Sequence, residues 1–366
     1  LYLPPALAQE QTENLEGNFE GIGIEYYLLS DTLFVTHVRN NGPSEKAGIM
    51  KGDRIIAVNG ESLPGKGLLA NNIVSKLKGK KGSKVEVSVL RGFNADPFKI
   101  QIVRDRIIVS SIDVAYLINP TTGFVKISKF GASTDEDFVD ELTRLEKKGM
   151  KNLILDLRGN GGGYLNSATS LADQFLEDGK LIVYTKGLHE PRTDYNATND
   201  GLFEKGKLIV LIDEGTASAS EVVAGAVQDL DRGVIVGRRS FGKGLVQEQF
   251  AFDDGSAMNL TVARYYTPSG RSIQKSYDKG TKEYKEELNK RLIKGEYTSL
   301  DSVYADSTFL QPSLKFKTAK GRVVYGGGGI MPDHFIPIDT SHYTSFYKKL
   351  NNSSLLQEFV YRNLSA

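Results

Sequence analysis

Asn152-Leu-Ile-Leu-Asp-Leu-Arg-Gly-Asn-Gly-Gly-Gly163 is the stretch on which the fold turns. Its first six residues form an almost continuous apolar run of strand length, read as a buried strand. Four glycines then make a tight turn, and Leu165 to Leu176 reads as a helix. Outward from this point the alternation repeats. Upstream, Phe124 to Ile127 is a strand, and Asp135 to Lys148 is an amphipathic helix ended by Gly149. Downstream come a buried strand, Lys207 to Ile212, a helix, Ser220 to Leu230, and strands at Val234–Val236 and Met258–Val262. Strands that alternate with helices predict βαβ crossovers on a sheet covered by helices, an α/β fold. Residues 276–318 interrupt it as a charged, weakly patterned insertion, and Gly326–Gly329 follows a strand at Arg322–Tyr325.

Before this α/β region lies a smaller, β-rich module, from Gly21 to about Arg104. Thr32–Val38 and Lys84–Leu90 have strand composition, and Asp53–Val58 runs into the turn dipeptide Asn59-Gly60. Asn71–Lys78 places Ile73, Val74 and Leu77 on one face of a short helix. Residues 1–18 are polar after Pro4-Pro5 and read as a linker or a short helix.

A chain of 366 residues divides into two or three domains. Hydrophobic residues are 40% and charged residues 25%, the composition of an ordinary folded protein. A net charge of +1 leaves no one-signed field for nucleic acid or a membrane surface. Apolar runs reach five residues, as in Leu208–Ile212, so no membrane span is expected. The absence of cysteine removes disulfides, thiolate metal sites and a thiol nucleophile. His37, His189, His334 and His342 have no metal-binding spacing, so neither metal nor cofactor is expected. Leu1-Tyr2-Leu3-Pro4-Pro5 has no charged region followed by an apolar one, and is read as a chain whose leader has been removed.

Four motifs carry chemistry. Gly21-Ile22-Gly23-Ile24 precedes an extended stretch, where successive N–H groups can face a terminal carboxylate or simply make a turn. The glycine turn 159–163 can hold an anion at a helix N-terminus, or supply only the positive φ of a tight turn. It fails the dinucleotide fingerprint, because Tyr164 stands where the last glycine belongs. Gly215-Thr-Ala-Ser218-Ala-Ser-Glu221 leads from a strand into a helix. Ser218 and Glu221 match the S-x-x-E capping box, and a helix-capping serine can equally be an exposed nucleophile. Gly242-Lys243-Gly244 is a near miss to a phosphate-binding loop, since Gly244 replaces the Mg²⁺-binding hydroxyl. A lysine between glycines in apolar surroundings loses its proton more readily and can act as a general base; otherwise it is a surface lysine in a turn. Gln247 shares its face in an extended segment, although four strand residues span roughly 13 Å.

The first module, through its text Gly42-Pro-Ser-Glu-Lys-Ala-Gly-Ile49 and Gly52-Asp-Arg-Ile55, resembles a PDZ domain with residues 21–24 as its carboxylate-binding loop. The rest of the chain adds LDLRGNGGG (155–163), TASASEVVAGAVQD (216–229), VGRRSFGKGLVQ (236–247), YYTPSGRSIQ (265–274) and GGGGIMPD (326–333). Together they resemble the C-terminal processing peptidases, serine proteases with a Ser–Lys dyad. The resemblance implies a ClpP/crotonase-like core behind a PDZ domain. The expected boundaries are a linker remnant at 1–18, the PDZ domain at 19–104, the peptidase core at 105–345 and a C-terminal helix at 346–366. It implies Ser218 as nucleophile, Lys243 as base with Gln247 as its partner, and Ala219 with Gly161 or Gly162 as oxyanion donors. Asp229 falls on a carboxylate position with a structural role. The implied substrates are proteins with free apolar C-termini, laid as a strand beside Ile24-Glu25-Tyr26 and against the helix near Ile73 and Leu77. The implied location is the periplasm or cell envelope, with a homodimer through upstream sequence and an adaptor protein as further partners. Two rivals differ in class: a PDZ scaffold that binds tails without turnover, and a nucleotide-binding protein whose fingerprints are both broken.

Overall fold

The computed structural model describes residues 1–29, 32–63, 70–92, 96–278, 280–304, 311–341, 344–353 and 355–363. It divides into two compact units: residues 1–17 with 110–339, and residues 18–109 with 340–366.

The larger unit is built on a six-stranded sheet in the order Ile112–Asn119, Thr122–Ile127, Asn152–Asp156, Lys207–Ile212, Val234–Gly237, His334–Phe335. Its first pair is an antiparallel hairpin and the rest is parallel. Parallel neighbours need crossovers, and helices Thr134–Lys147, Leu165–Asp173 and Ala219–Asp229 supply them. Leu153, Leu155, Leu208, Val210 and Ile212 are buried against these helices in one apolar core. Ile154, Ile209 and Leu211 in the same apolar runs stay half-buried. The helices cover one face, so strands that read as continuously apolar are fully buried only at alternate residues. Leu245–Ala251, Ala257–Tyr266, Leu181–Lys186, Thr193–Asn196 and Tyr2–Leu3 form a second sheet.

The opening residues are more than a linker. Pro5–Glu16 is a helix with proline in its first turn and Gly17 at φ +66° closing its end. Leu3 and Ala8 are the buried apolar side chains here, packed with Ala257, which is too few positions for a periodicity to show. The insertion likewise contains a helix, Gly280–Ile293.

In the smaller unit Ile24–Leu29, Thr32–Val38, Arg54–Val58, Lys84–Leu90 and Phe98–Val103 form one antiparallel sheet, with Glu61–Ser62 beside the third strand. Strict alternation in Lys84–Leu90 puts Val85, Val87 and Val89 in a core with Ile55, Ile73 and Leu77. The helix runs Ala70–Leu77; the side chain of Val74 lies outside the described residues. The tail, expected as one helix, forms two, Ser345–Asn352 and Leu355–Asn363, separated where Asn351, Asn352 and Ser353 lower helix propensity. Among the described residues no helix is long and apolar enough to cross a membrane.

Candidate active site

Ser218 occupies the turn between strand Lys207–Ile212 and helix Ala219–Asp229, at φ +56° and ψ −117°. A residue with a Cβ pays about 1–3 kcal/mol for such a backbone and keeps it only where its surroundings over-determine it. Here they do. The Ser218 N–H donates to Glu221 Oε2 at 2.9 Å, and its carbonyl accepts from the N–H groups of Glu221 and Val222 at 2.8 and 3.1 Å. Ser218 and Glu221 thus form the S-x-x-E capping box, and Ser218 sits partly exposed between buried Ala217 and Ala219.

Glu221 has no solvent exposure, yet four donors converge on it. Ser240 Oγ and the Gly242 N–H reach Oε1; the N–H groups of Ser218 and Lys243 both reach Oε2, each at 2.9 Å. Burial pushes the carboxyl pKa up and the four donors pull it back. A carboxylate is the side chain that can accept on both oxygens, so the site is matched to a glutamate. One oxygen thereby ties the backbone of Ser218 to that of Lys243.

Lys243 is partly buried, and burial lowers its amine pKa while the Glu221 charge opposes the shift. Among the described residues Nζ makes no hydrogen bond or ion pair. The loop carrying it is held from every side. Phe241 N–H donates to Thr216 O (2.9 Å), Lys275 N–H to Gly242 O (3.0 Å), and Gly244 N–H to Gln274 Oε1 (2.8 Å). From the insertion helix, Arg291 Nη1 donates to Ser240 O at 2.7 Å, and Tyr284 meets the Phe241 ring edge-on. Arg291 and Glu296 of the insertion are therefore buried behind the lysine loop, while Lys282, Lys285 and Lys294 stay exposed.

Gln247 lies on strand Leu245–Ala251, exposed and opposite Thr261 just past a bulge. Among the described residues no hydrogen bond joins it to Lys243.

The glycine turn approaches the serine from the other side. A Cβ on Gly162, at φ +99°, would stand 2.8 Å from Ser218 Cβ and 2.9 Å from Ala219 N. Gly162 N–H donates to Asn160 Oδ1 at 2.9 Å, whereas the N–H groups of Gly161 and Ala219 have no acceptor among the described residues. Proximity to Ser218 thus favours Gly162 and a free donor favours Gly161. Asn160, fully buried, went unnoticed in the sequence although it stands among the glycines. It donates Nδ2 to Ile127 O, and its carbonyl accepts from Ala217 N–H and Ser220 Oγ. Gly162→Ala is expected to displace the serine turn and lower kcat by about 10²-fold with the fold retained, since misplacement near 1 Å costs that much. Hydrolysis rates beside a melting curve check this; parent kcat in the variant would count against it.

Asp229 pairs with Arg271 at 2.7 Å, both side chains wholly buried, at the far end of the Ser218 helix. In the smaller unit Gly21, Ile22, Gly23 and Ile24 line a cavity of about 110 Å³ with Tyr26 and Leu77. No cluster of three His, Asp or Glu suited to a metal exists among the described residues, and His342 lies outside them.

The family model for peptidase family S41 matches residues 121–282, and that for the PDZ domain matches residues 21–102. The chain is 36% identical over 273 residues to a probable CtpA-like serine protease of Staphylococcus aureus (strain N315), covering 73% of this chain and 54% of that protein. It is 34% identical over 309 residues to the carboxy-terminal processing protease CtpA of Bacillus subtilis (strain 168), covering 84% and 63%. Among solved structures it is 31% identical to the photosystem II D1 C-terminal processing protease, with a TM-score of 0.42, covering 74% and 73%. The chain spans less than two thirds of either curated relative.

Proposed function

Since the chain belongs to peptidase family S41 and carries a PDZ domain, we propose that it is a serine endopeptidase that captures the apolar C-terminal tails of its protein substrates. Ser218 is the nucleophile and Lys243 the general base. The observation that carries this reading is the single buried Glu221 oxygen that accepts the N–H groups of both residues at 2.9 Å.

Neutral Lys243 takes the proton of Ser218 Oγ as that oxygen attacks the scissile carbonyl. The tetrahedral oxyanion is met by the Ala219 N–H and a donor of the 161–162 turn, groups placed where negative charge develops. Protonated Lys243 then delivers its proton to the leaving amine, and the acyl-enzyme remains on Ser218. Water, deprotonated by Lys243, releases the new carboxylate, and the proton returns to Ser218. Gln247 orients the lysine amine once substrate draws the strand Leu245–Ala251 into place, because catalytic hydrogen bonds tighten in the Michaelis complex.

Capture rests on the PDZ cavity. A tail adds as a strand beside Ile24, its carboxylate meets the N–H groups of 21–24, and its last side chain enters about 110 Å³ of apolar space. The compartment proposed is the cell envelope, reached by export.

An unfolded reporter with an apolar tail, followed by mass spectrometry, tests the reading. The parent is expected to cleave it, Ser218→Ala and Lys243→Ala to leave it intact, and removal of the tail to slow cleavage. Because only the neutral amine is a base, the parent rate should rise with pH through a midpoint below the ordinary lysine range. Cleavage by Lys243→Ala at the parent rate would overturn the dyad.

A further inference from the structure

We propose that Tyr265 is a positioning residue for this reaction, its phenol fixing nucleophile and base to one another through their backbone carbonyls; this rests on the Ser218–Lys243 reading. Tyr265 is the penultimate residue of the strand Ala257–Tyr266 and is 2% exposed. Its hydroxyl donates to Ser218 O at 2.9 Å and to Lys243 O, and its own N–H donates to Gly244 O at 3.1 Å. A phenol has one hydrogen, so the two carbonyls share it in a three-centre bond.

At Ser218 O this is not a bond made merely to satisfy a stranded carbonyl. Ser218 O already accepts two helix N–H groups, from Glu221 and Val222. What the phenol adds is a link from that carbonyl to the lysine loop. Glu221 joins the two residues on their N–H sides and Tyr265 joins them on their C=O sides. Between them, the backbone of each residue is held on both sides, so neither Ser218 nor Lys243 can shift its Cα, and with it the root of its side chain, without breaking a buried bond. Burial also holds the phenol far above its ordinary pKa, and the donor hydrogen stays in place wherever a lysine can act as base. Tyr265 belongs to the main apolar core as well, a role phenylalanine fills equally. One oxygen atom therefore separates the two roles.

The test is a cycle of Tyr265→Phe, Lys243→Ala and the double variant. It measures kcat and KM on a peptide substrate and the pH dependence of Ser218 acylation by a fluorophosphonate. Tyr265→Phe is expected to lower kcat and acylation by about tenfold to a hundredfold, with KM within about twofold, a shifted pH midpoint and a retained fold. In the Lys243→Ala background it should add less than about twofold, since a residue that acts through the dyad has nothing left to position. Parent kcat in Tyr265→Phe overturns the proposal, as does an equal loss in both backgrounds. Parent-rate acylation by Lys243→Ala alone overturns the dyad, and the proposal with it, without Tyr265 having been touched. If Tyr265→Phe does not fold, 3-fluorotyrosine at position 265 keeps the hydroxyl. Its ¹⁹F resonance is expected to move when Ser218 is acylated, and a fixed resonance overturns the proposal.

Discussion

Glu221→Ala is expected to lower kcat by about 10²-fold or more while the protein still folds, the largest loss from any residue outside the proposed nucleophile and base. The substitution strips the acceptor from Ser240 Oγ and from the N–H groups of Ser218, Gly242 and Lys243 at one stroke. Each buried donor left without a partner costs about 1–3 kcal/mol, so the loop must move or water must enter. Either outcome relaxes the strained Ser218 backbone and shifts the lysine loop relative to it. Glu221→Gln is the sharper variant. An amide offers one acceptor oxygen and an NH₂ with two donor hydrogens, and whichever way it turns, its NH₂ faces two groups that donate to the carboxylate in the parent. It should therefore be nearly as slow as alanine despite matching the glutamate in size. Acylation of Ser218 by a fluorophosphonate reads this directly, and parent-rate labelling of either variant would sink the clamp.

The largest effect on stability is expected at Asp229. Asp229→Ala should destabilise the larger unit by about 3–5 kcal/mol, because it leaves the Arg271 guanidinium buried without its counter-charge. That guanidinium also donates to Gln228 Oε1 at 2.7 Å and to Tyr325 O at 2.8 Å, and Asp229 Oδ2 accepts the Ser269 N–H at 3.1 Å. The pair thus pins the segment that ends in Arg271, and with it Tyr265, to the C-terminal end of the Ser218 helix. At about 2–4 °C per kcal/mol for a unit of this size, the melting temperature should drop by roughly 6–20 °C. Asp229→Asn keeps an acceptor for Arg271 and should fall between parent and alanine. A melting temperature unmoved in Asp229→Ala would show the pair to be worth nothing net.

The alternation of strand and helix was legible from local pattern alone. Apolar runs of strand length, amphipathic helices and glycine turns are set by neighbours a few residues apart, and the sheet follows from how such units must pack. Ser218 at a helix start and Lys243 between glycines were legible for the same reason. So was the glutamate of the S-x-x-E motif, as half of a cap.

What the sequence could not carry is which distant groups share a hydrogen bond. That one Glu221 oxygen serves both Ser218 and Lys243, and that Asn160 bolts the glycine turn to the helix, depends on how loops stack at the ends of parallel strands. Tyr265 stood only as the first residue of the stretch YYTPSGRSIQ, with no role of its own. Arg271, Arg291 and Glu296 carried no signal of burial in the sequence, yet all three are buried. Charge has no periodicity that separates a solvated face from a buried pair; the sign of the partner decides, and the partner is remote in sequence. Sequence by itself determined the layers of this protein and the residue types at its site. Only the tertiary structure decided how those residues are held, because that holding is made of bonds between segments far apart along the chain.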